Sequence, residues 1–332
     1  MTYMYVKNFS GGVWPLPWKI HYDDTNHTIN PGEFHFISKV GSCDVIDKAI
    51  ERYQKLTFPL YDPATYSDSP ATLTSLTIEV KTECNTKVPQ LSMDETYSLS
   101  IDKEKDEALL SANEVWGALR GLETFSQLVF QPVRNKYRVR TASVKDGPRF
   151  PHRGTLIDTG RHYLSLSMIL QHLDVMSQNK MNVLHWHIVD SEAFPYTSEK
   201  FPNMSLLGAY TRAHIYSIDD IRKIIDYARL RGIRVVPEFD TPDLLSHCYN
   251  TKGEINQLPN IIDPTLPANF EFLSEFFDEA LSLFGDKFMH FGGDEVESDM
   301  QQCWENNPEV KKRMKDMGCA NTNCLLNYYW RK

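Results

Sequence analysis

From residue 153 onward the chain keeps to one grammar, an apolar run of strand length followed by a stretch with helical spacing. Runs at 153–158, 182–189, 233–238 and 288–292 alternate with helix-patterned segments at 167–178, 218–231 and 270–284. Four β/α units in succession argue for a parallel sheet, with a β/α barrel expected ahead of a doubly wound sheet. The deciding detail is where the polar residues fall. Asp158 and Arg161, His187 and Asp190, Glu238 and Asp240, and Asp294 and Glu295 all stand at or just past the C-terminal ends of the four runs. In a barrel those ends meet at one mouth, where folds of this kind keep their chemistry.

The residues before the Gly147-Pro148-Arg149-Phe150-Pro151 punctuation read differently. Alternation at 34–38, 72–80 and 96–101 predicts neighbouring strands, and helical spacing at 44–56 and 113–130 predicts two helices, the second with Asn113 able to cap it. The expected organisation is therefore a small α+β domain over 1–147, one sheet with two helices, followed by the β/α domain over 148–332.

With 332 residues, 41% of them hydrophobic, the chain is long enough to bury a core in each domain. Its net charge of -9 supplies no basic field for a phosphate backbone, so nucleic acid is not an expected partner. The longest apolar runs contain His and Asn and are too short for a membrane span. Residues 1–10 lack a basic stretch followed by an apolar one, so no secretory signal is expected there. The six cysteines form no CxxC and none lies near a His at metal-ligand spacing; read alone, they suit a cytosolic protein or a secreted one equally.

The stretch Phe288-Met289-His290-Phe291-Gly292-Gly293-Asp294-Glu295-Val296 is the most telling part of the mouth. Neighbouring side chains on a strand point to opposite faces, so Asp294 and Glu295 share one pocket only if the chain turns out of the sheet, and Gly292 and Gly293 permit that turn. Three readings fit the assembled residues: carboxylate acid/base work on a glycoside, a metal hydrolase using His185 and His187 from one strand face, or a scaffold whose polar groups merely satisfy one another. No further matched ligand spacing supports the metal, so no metal or cofactor is expected. His185 and Trp186 read as core residues, His187 stands nearer the mouth, and Glu238 reads as a buried partner of Arg234 or of another strand-end base.

Four motifs then coincide: His152-Arg153-Gly154 through Arg161-His162-Tyr163, Asn182 through Asp190 with His185-Trp186-His187, Arg231 through Pro242 with Glu238-Phe239-Asp240-Thr241-Pro242, and His290 through Val296. In order and spacing they resemble glycoside hydrolase family 20, and within it the animal lysosomal β-hexosaminidases, from about Trp14 to the C-terminus. The resemblance implies retaining, substrate-assisted hydrolysis of terminal N-acetylhexosamine from a glycan or glycolipid. It implies Glu295 as general acid/base and Asp294 as the group that orients the substrate's 2-acetamido arm. Arg161 would bind hydroxyls of the terminal sugar, with Asp190, Asp240 and His187 around it. It also implies disulfides Cys43–Cys84 and Cys248–Cys303, carries over no partner for Cys319 or Cys324, and suggests a lysosomal or secreted protein. Family members are dimers.

Two departures stand out. After Asp240-Thr241-Pro242 the family continues Gly-His-Thr, whereas this chain reads Asp243-Leu244-Leu245-Ser246-His247-Cys248-Tyr249, so the histidine linking Asp190 to Glu295 is expected to be missing and activity reduced. The sequence closes at Lys332 after helical text from about Cys324, so only strands one to four of a barrel are expected, with unpaired edges and an impaired or inactive remnant as the rival to an active enzyme.

Overall fold

A computed structural model of the chain describes residues 12–84, 88–242, 248–249, 255–256, 261–294, 296 and 298–332. They fall into two units. The first comprises the described residues of Met1–Arg153 with Leu173–Asn182 and Ala228–Ile233; the second comprises those of Gly154–His172, Val183–Tyr227 and Arg234–Lys332.

The first unit is built on β1 (Lys19–Ile29), β2 (His35–Ser38), α1 (Asp44–Thr57), β3 (Ser75–Val80), β4 (Tyr97–Ile101), β5 (Glu107–Ala112), α2 (Val115–Leu128), β6 (Val129–Phe130) and β7 (Tyr137–Asp146). One mixed sheet runs β1-β7-β4-β5-β3-β2, with β6 beside β7. Strands β2, β3 and β5 are parallel and the other pairings antiparallel. Alternation sends Leu76, Ile78, Leu99, Leu110 and Val144 to one face, where they join Val45, Ile46 and Ala49 of α1 and Leu119, Leu122 and Phe125 of α2 in a single buried cluster. α1 forms where the pattern places it, with Asp44 and Asp47 in its first turn and Lys55 in its last, each sign matched to the helix dipole. The expected cap on α2 is not made. Glu114 occupies the N-cap position without a side-chain bond, and the Asn113 amide donates instead to Asp94 Oδ2 at 2.8 Å.

The second unit contains β8 (Gly154–Asp158), α3 (Leu166–Gln178, its start), β9 (Val183–Val189), α4 (Asn203–Gly208), α5 (Ile218–Arg229, all but its end), β10 (Arg234–Phe239), α6 (Pro267–Phe284), α7 (Ser298–Asn306), α8 (Pro308–Asp316) and α9 (Thr322–Arg331). β10, β9 and β8 form a parallel sheet in that order. The parallel sheet buries its central strand on both faces, which is why Val183-Leu184 and Ile188-Val189 read as continuous apolar text. α6 begins at Pro267, whose missing N–H costs nothing in a first turn, and ends at Gly285 in the left-handed conformation, φ 69°. Its Phe276 meets Tyr196 and Phe239 edge-on with ring centroids 5.8 and 5.0 Å apart.

The fourth expected strand, 288–292, is reduced to a single parallel bridge between His290 and Glu238. Backbone bonds from Phe239 N to His290 O (3.3 Å), His290 N to Pro237 O (3.0 Å) and Thr241 N to Phe291 O (3.0 Å) hold it along β10. The positive φ of Gly292 (65°) and Gly293 (100°) then turns the chain away before a regular ladder develops. Arg234 does not meet Glu238. Residues four positions apart on a strand are separated by roughly 13 Å, and Arg234 at the opposite end of β10 instead holds Asp286 by two bonds of 2.8 Å.

Of the cysteines, Cys43 is bonded to Cys84, as the resemblance implied, and Cys319 to Cys324, a pairing the resemblance did not supply. Cys303 is also disulfide-bonded, while the side chain of Cys248 lies outside the described residues.

Candidate active site

In-register pairing of Asp158, His187 and Glu238 places them at one level at the C-terminal ends of β8, β9 and β10. Asp158 captures the turn that follows its strand: its Oδ1 accepts the Arg161 backbone N–H at 2.9 Å and its Oδ2 accepts Arg161 Nη1 at 3.0 Å. The other guanidinium nitrogen, Nη2, lies 3.0 Å from Asp190 Oδ2. A planar fork between two carboxylates is held in one orientation, with about a third of the side chain exposed to receive a ligand (32%). Tyr210 Oη donates to the Arg161 carbonyl at 2.8 Å and fixes the loop from behind.

His187 Nε2 also lies 3.0 Å from Asp190 Oδ2, an ion pair whose angles fall outside hydrogen-bond geometry. Its Nδ1 is 3.8 Å from Glu238 Oε2. Burial disfavours the charged ring, yet Asp190 and Glu238 outweigh it and raise the His187 pKa to about 9. Burial would raise Asp190, but His187, the Ser191 N–H and Arg161 together bring it down to about 2. Glu238 sits between two imidazoles, His185 Nε2 at 2.5 Å and His290 Nδ1 at 2.8 Å. Burial would raise its pKa, but the hydrogen bond from His185 and the nearby His187 and His290 outweigh that and lower it. These histidines, not Arg234, are the bases that Glu238 meets, the second of the two alternatives the sequence left open. Trp186 is core, fully buried with its indole N–H on Thr159 Oγ1 at 2.9 Å.

Asp240 is the outlier. It is buried, one oxygen accepts the Gly293 N–H at 2.5 Å, and the other, Oδ2, is buried with no hydrogen-bond partner among the described residues. Burial raises its pKa, the Gly293 bond opposes, and Asp190 and Asp294 add to the rise, to about 6. A carboxylate oxygen of Asp294, which stands exposed at the rim, lies within 4.8 Å of oxygens of Asp240 and Glu238. Gly292 lets these groups approach: a Cβ there would fall 1.8 Å from Asp240 Oδ1. Glu295 and His247 lie outside the described residues.

The structure thus brings Arg161, His187, Asp190, Asp240 and Asp294 to one strand-end cluster. Sequence reading attached no role to His290, Glu192 or Tyr210. Strand alternation through Gly292 could have pointed His290 toward the mouth; Glu192, whose Oε2 lies 4.0 Å from Arg161 Nε, and Tyr210 are loop residues with no periodic signal. Among the described residues three sets of His and carboxylate atoms approach one another within 4.8 Å, His185-Glu238-His290 among them. In that set the donors already bond one another.

Fold and site together define a β/α-type protein with a guanidinium and a group of carboxylates at the C-terminal ends of its parallel strands. Residues 150–332 match the family described as glycosyl hydrolase family 20, catalytic domain, and residues 13–128 match one described as beta-acetyl hexosaminidase like. The chain belongs to glycosyl hydrolase family 20. It is 44% identical to beta-hexosaminidase A of Caenorhabditis briggsae, covering 97% of this chain and 60% of that protein. It is 42% identical to beta-hexosaminidase subunit beta of Homo sapiens, covering 92% and 58%. Among solved structures it resembles the chitobiase of Flavobacterium johnsoniae, with a TM-score of 0.79 and 26% identity over 96% of this chain and 50% of that one. The chain therefore spans about 60% of the length of the curated relatives it matches.

Proposed function

We propose that this chain carries the site of a β-N-acetylhexosaminidase that removes terminal N-acetylhexosamine from glycans or glycolipids with retention. The observation that supports this most is the placement, at the C-terminal ends of one parallel sheet, of the Arg161 fork held by Asp158 and Asp190 and of the Asp240–Asp294 pair around a glycine turn. A fork braced by Asp158 and Asp190 suits two adjacent hydroxyls of a sugar, while an acid beyond it suits the amide N–H of the 2-acetamido group.

In this reading Glu295, one residue past Asp294, gives its proton to the glycosidic oxygen. The acetamido carbonyl oxygen attacks the anomeric carbon as the bond to the leaving group breaks, forming an oxazolinium ring. Asp294 accepts a hydrogen bond from the acetamido N–H and stabilises the positive charge that develops there. Water then attacks the anomeric carbon, Glu295 recovers a proton from it, and the two inversions restore the original configuration. Asp240, held near pH 6 in its titration, limits the charge crowded beside Asp294. Asp190 and His187 keep Arg161 aimed.

The same reading assigns 1–147 to a non-catalytic α+β domain and 148–332 to strands one to four of a β/α barrel, pairs Cys248 with Cys303, and places the protein in the lysosome or outside the cell. A non-catalytic remnant is not favoured, because every described member of the expected constellation occupies the strand-end cluster. The test is hydrolysis of an aryl N-acetyl-β-glucosaminide. Turnover that Glu295→Gln abolishes supports the enzyme; no turnover from well-folded protein overturns it.

A further inference from the structure

The first unit carries a cavity of about 340 Å³ on its sheet, and its lining is unlike the rest of this acidic chain. Ser98 of β4 and Ser111 of β5 face each other in register and form the floor. Lys145 of β7 stands beside Ser98 on one side and Lys19 of β1 on the other, so two ammonium stems rise from neighbouring strands. Lys81, just past β3, and Trp18, just before β1, complete the walls. Alternation puts these residues on the face opposite Val144, Leu99 and Leu110, which point into the core.

What distinguishes the cavity is that its donors are unspent. Among the described residues Lys19, Lys81 and Lys145 form no salt bridge, Lys81 acting on Asp94 only through its field, and the hydroxyls of Ser98 and Ser111 make no hydrogen bond. The one carboxylate among the described lining residues, Asp146, is committed: Oδ1 accepts the Trp18 N–H at 3.2 Å and Oδ2 accepts Tyr97 Oη at 3.0 Å. Trp18 is 60% exposed, yet its ring is seated against Gly147, where a Cβ would lie 3.2 Å from it. Three unpaired cations around a fixed, open indole make a concave site with convergent polar groups, in a chain whose net charge is -9.

We propose that this cavity binds an acidic saccharide, a sulfated or carboxylated sugar. The apolar C–H face of the ring lies on Trp18, its hydroxyls bond Ser98 and Ser111, and its anionic group sits between Lys19, Lys145 and Lys81. A nucleic acid would need a longer basic track than three lysines on an acidic chain provide. All the lining residues belong to the first unit, so the site requires nothing of the hydrolytic reading.

Calorimetric titration of the full chain with a chondroitin sulfate tetrasaccharide tests this directly. The probe ends in a uronate, not an amino sugar, so it is not a substrate of the proposed hydrolase. Binding should weaken with rising ionic strength, and the Lys19→Gln, Lys81→Gln, Lys145→Gln triple variant and Trp18→Ala should each lose about tenfold or more in affinity. The triple Lys→Arg variant should keep it. Unchanged melting temperatures establish that these exposed substitutions leave the fold intact. Equal binding of the desulfated tetrasaccharide, equal affinity for inorganic sulfate alone, or no loss in the triple Gln variant overturns the proposal.

Discussion

His187 and Asp190 face each other across 3.0 Å at the end of β9, and the same Asp190 oxygen lies 3.0 Å from the Arg161 guanidinium. One buried carboxylate oxygen thus orders two cations. The arrangement links a strand-end histidine to the group proposed to hold the sugar, and its protonation can be followed from outside.

The pair should give stability a defined pH window. The His187 pKa lies above its ordinary 6.5, so its contribution is full below that pH and disappears as pH rises through about 9. The Asp190 pKa lies below 3.8, so its contribution is full above that pH and disappears as pH falls toward about 2. In thermal melts, the deficit of His187→Gln relative to wild type should be largest near pH 5 to 6, about the centre of that window, and should shrink by about pH 9. A deficit that does not change between these points would contradict the ion pair.

Asp240 should behave in the opposite sense to Asp190. Its pKa is raised from 3.8 to about 6, so ionising it costs the fold stability as pH rises through that interval. Asp240→Asn should therefore melt higher than wild type at pH 7.5, by about 1 to 3 °C, and show little difference near pH 4. A lower melting point at neutral pH would mean that the ionised carboxylate is supported by a partner other than Gly293.

Arg234 and Asp286 are both almost wholly buried and share two hydrogen bonds. Removing either charge alone strands the other. Arg234→Met should cost about 3 to 5 kcal/mol in chemical denaturation, and adding Asp286→Leu should recover most of the loss. Equal costs for the single and double variants would show that packing, not charge, dominates at this position.

Gly292→Ala tests the turn beneath the proposed acid. The residue has φ 65°, and a methyl group would overlap Asp240 Oδ1. Strain and clash together should lower kcat for an aryl N-acetyl-β-glucosaminide by about a hundredfold, with a stability loss of about 1 to 3 kcal/mol. Wild-type kcat in this variant would free the Asp240–Gly293 contact from any part in catalysis.

Arg161→Lys keeps the charge and loses the fork. One ammonium cannot span Asp158 and Asp190 while offering paired donors to a ligand, so kcat/KM should fall about a hundredfold, mostly through KM. A fall confined to kcat would move Arg161 from sugar binding to the chemical step.

Local pattern in the sequence determined part of the element order. Period-two alternation, helical spacing and the glycine-proline punctuation near 147–151 depend only on neighbouring residues, so β2, β3 and β4 with α1 and α2, and the strands β8, β9 and β10, could be read directly, whereas β1, β5, β6 and β7 of the first sheet were not anticipated. The strand-end positions of Arg161, His187, Asp190, Asp240 and Asp294 were legible for the same reason. Their partners were not. That Glu238 meets His185 and His290, that Arg234 reaches Asp286, and that the run at 288–292 keeps one bridge of a ladder are contacts between segments far apart in sequence. The orphaned Asp240 oxygen and the unspent lysines around Trp18 were equally hidden. Burial, charge balance and hydrogen-bond completion are properties of the assembled neighbourhood, and only packing brings that neighbourhood into being.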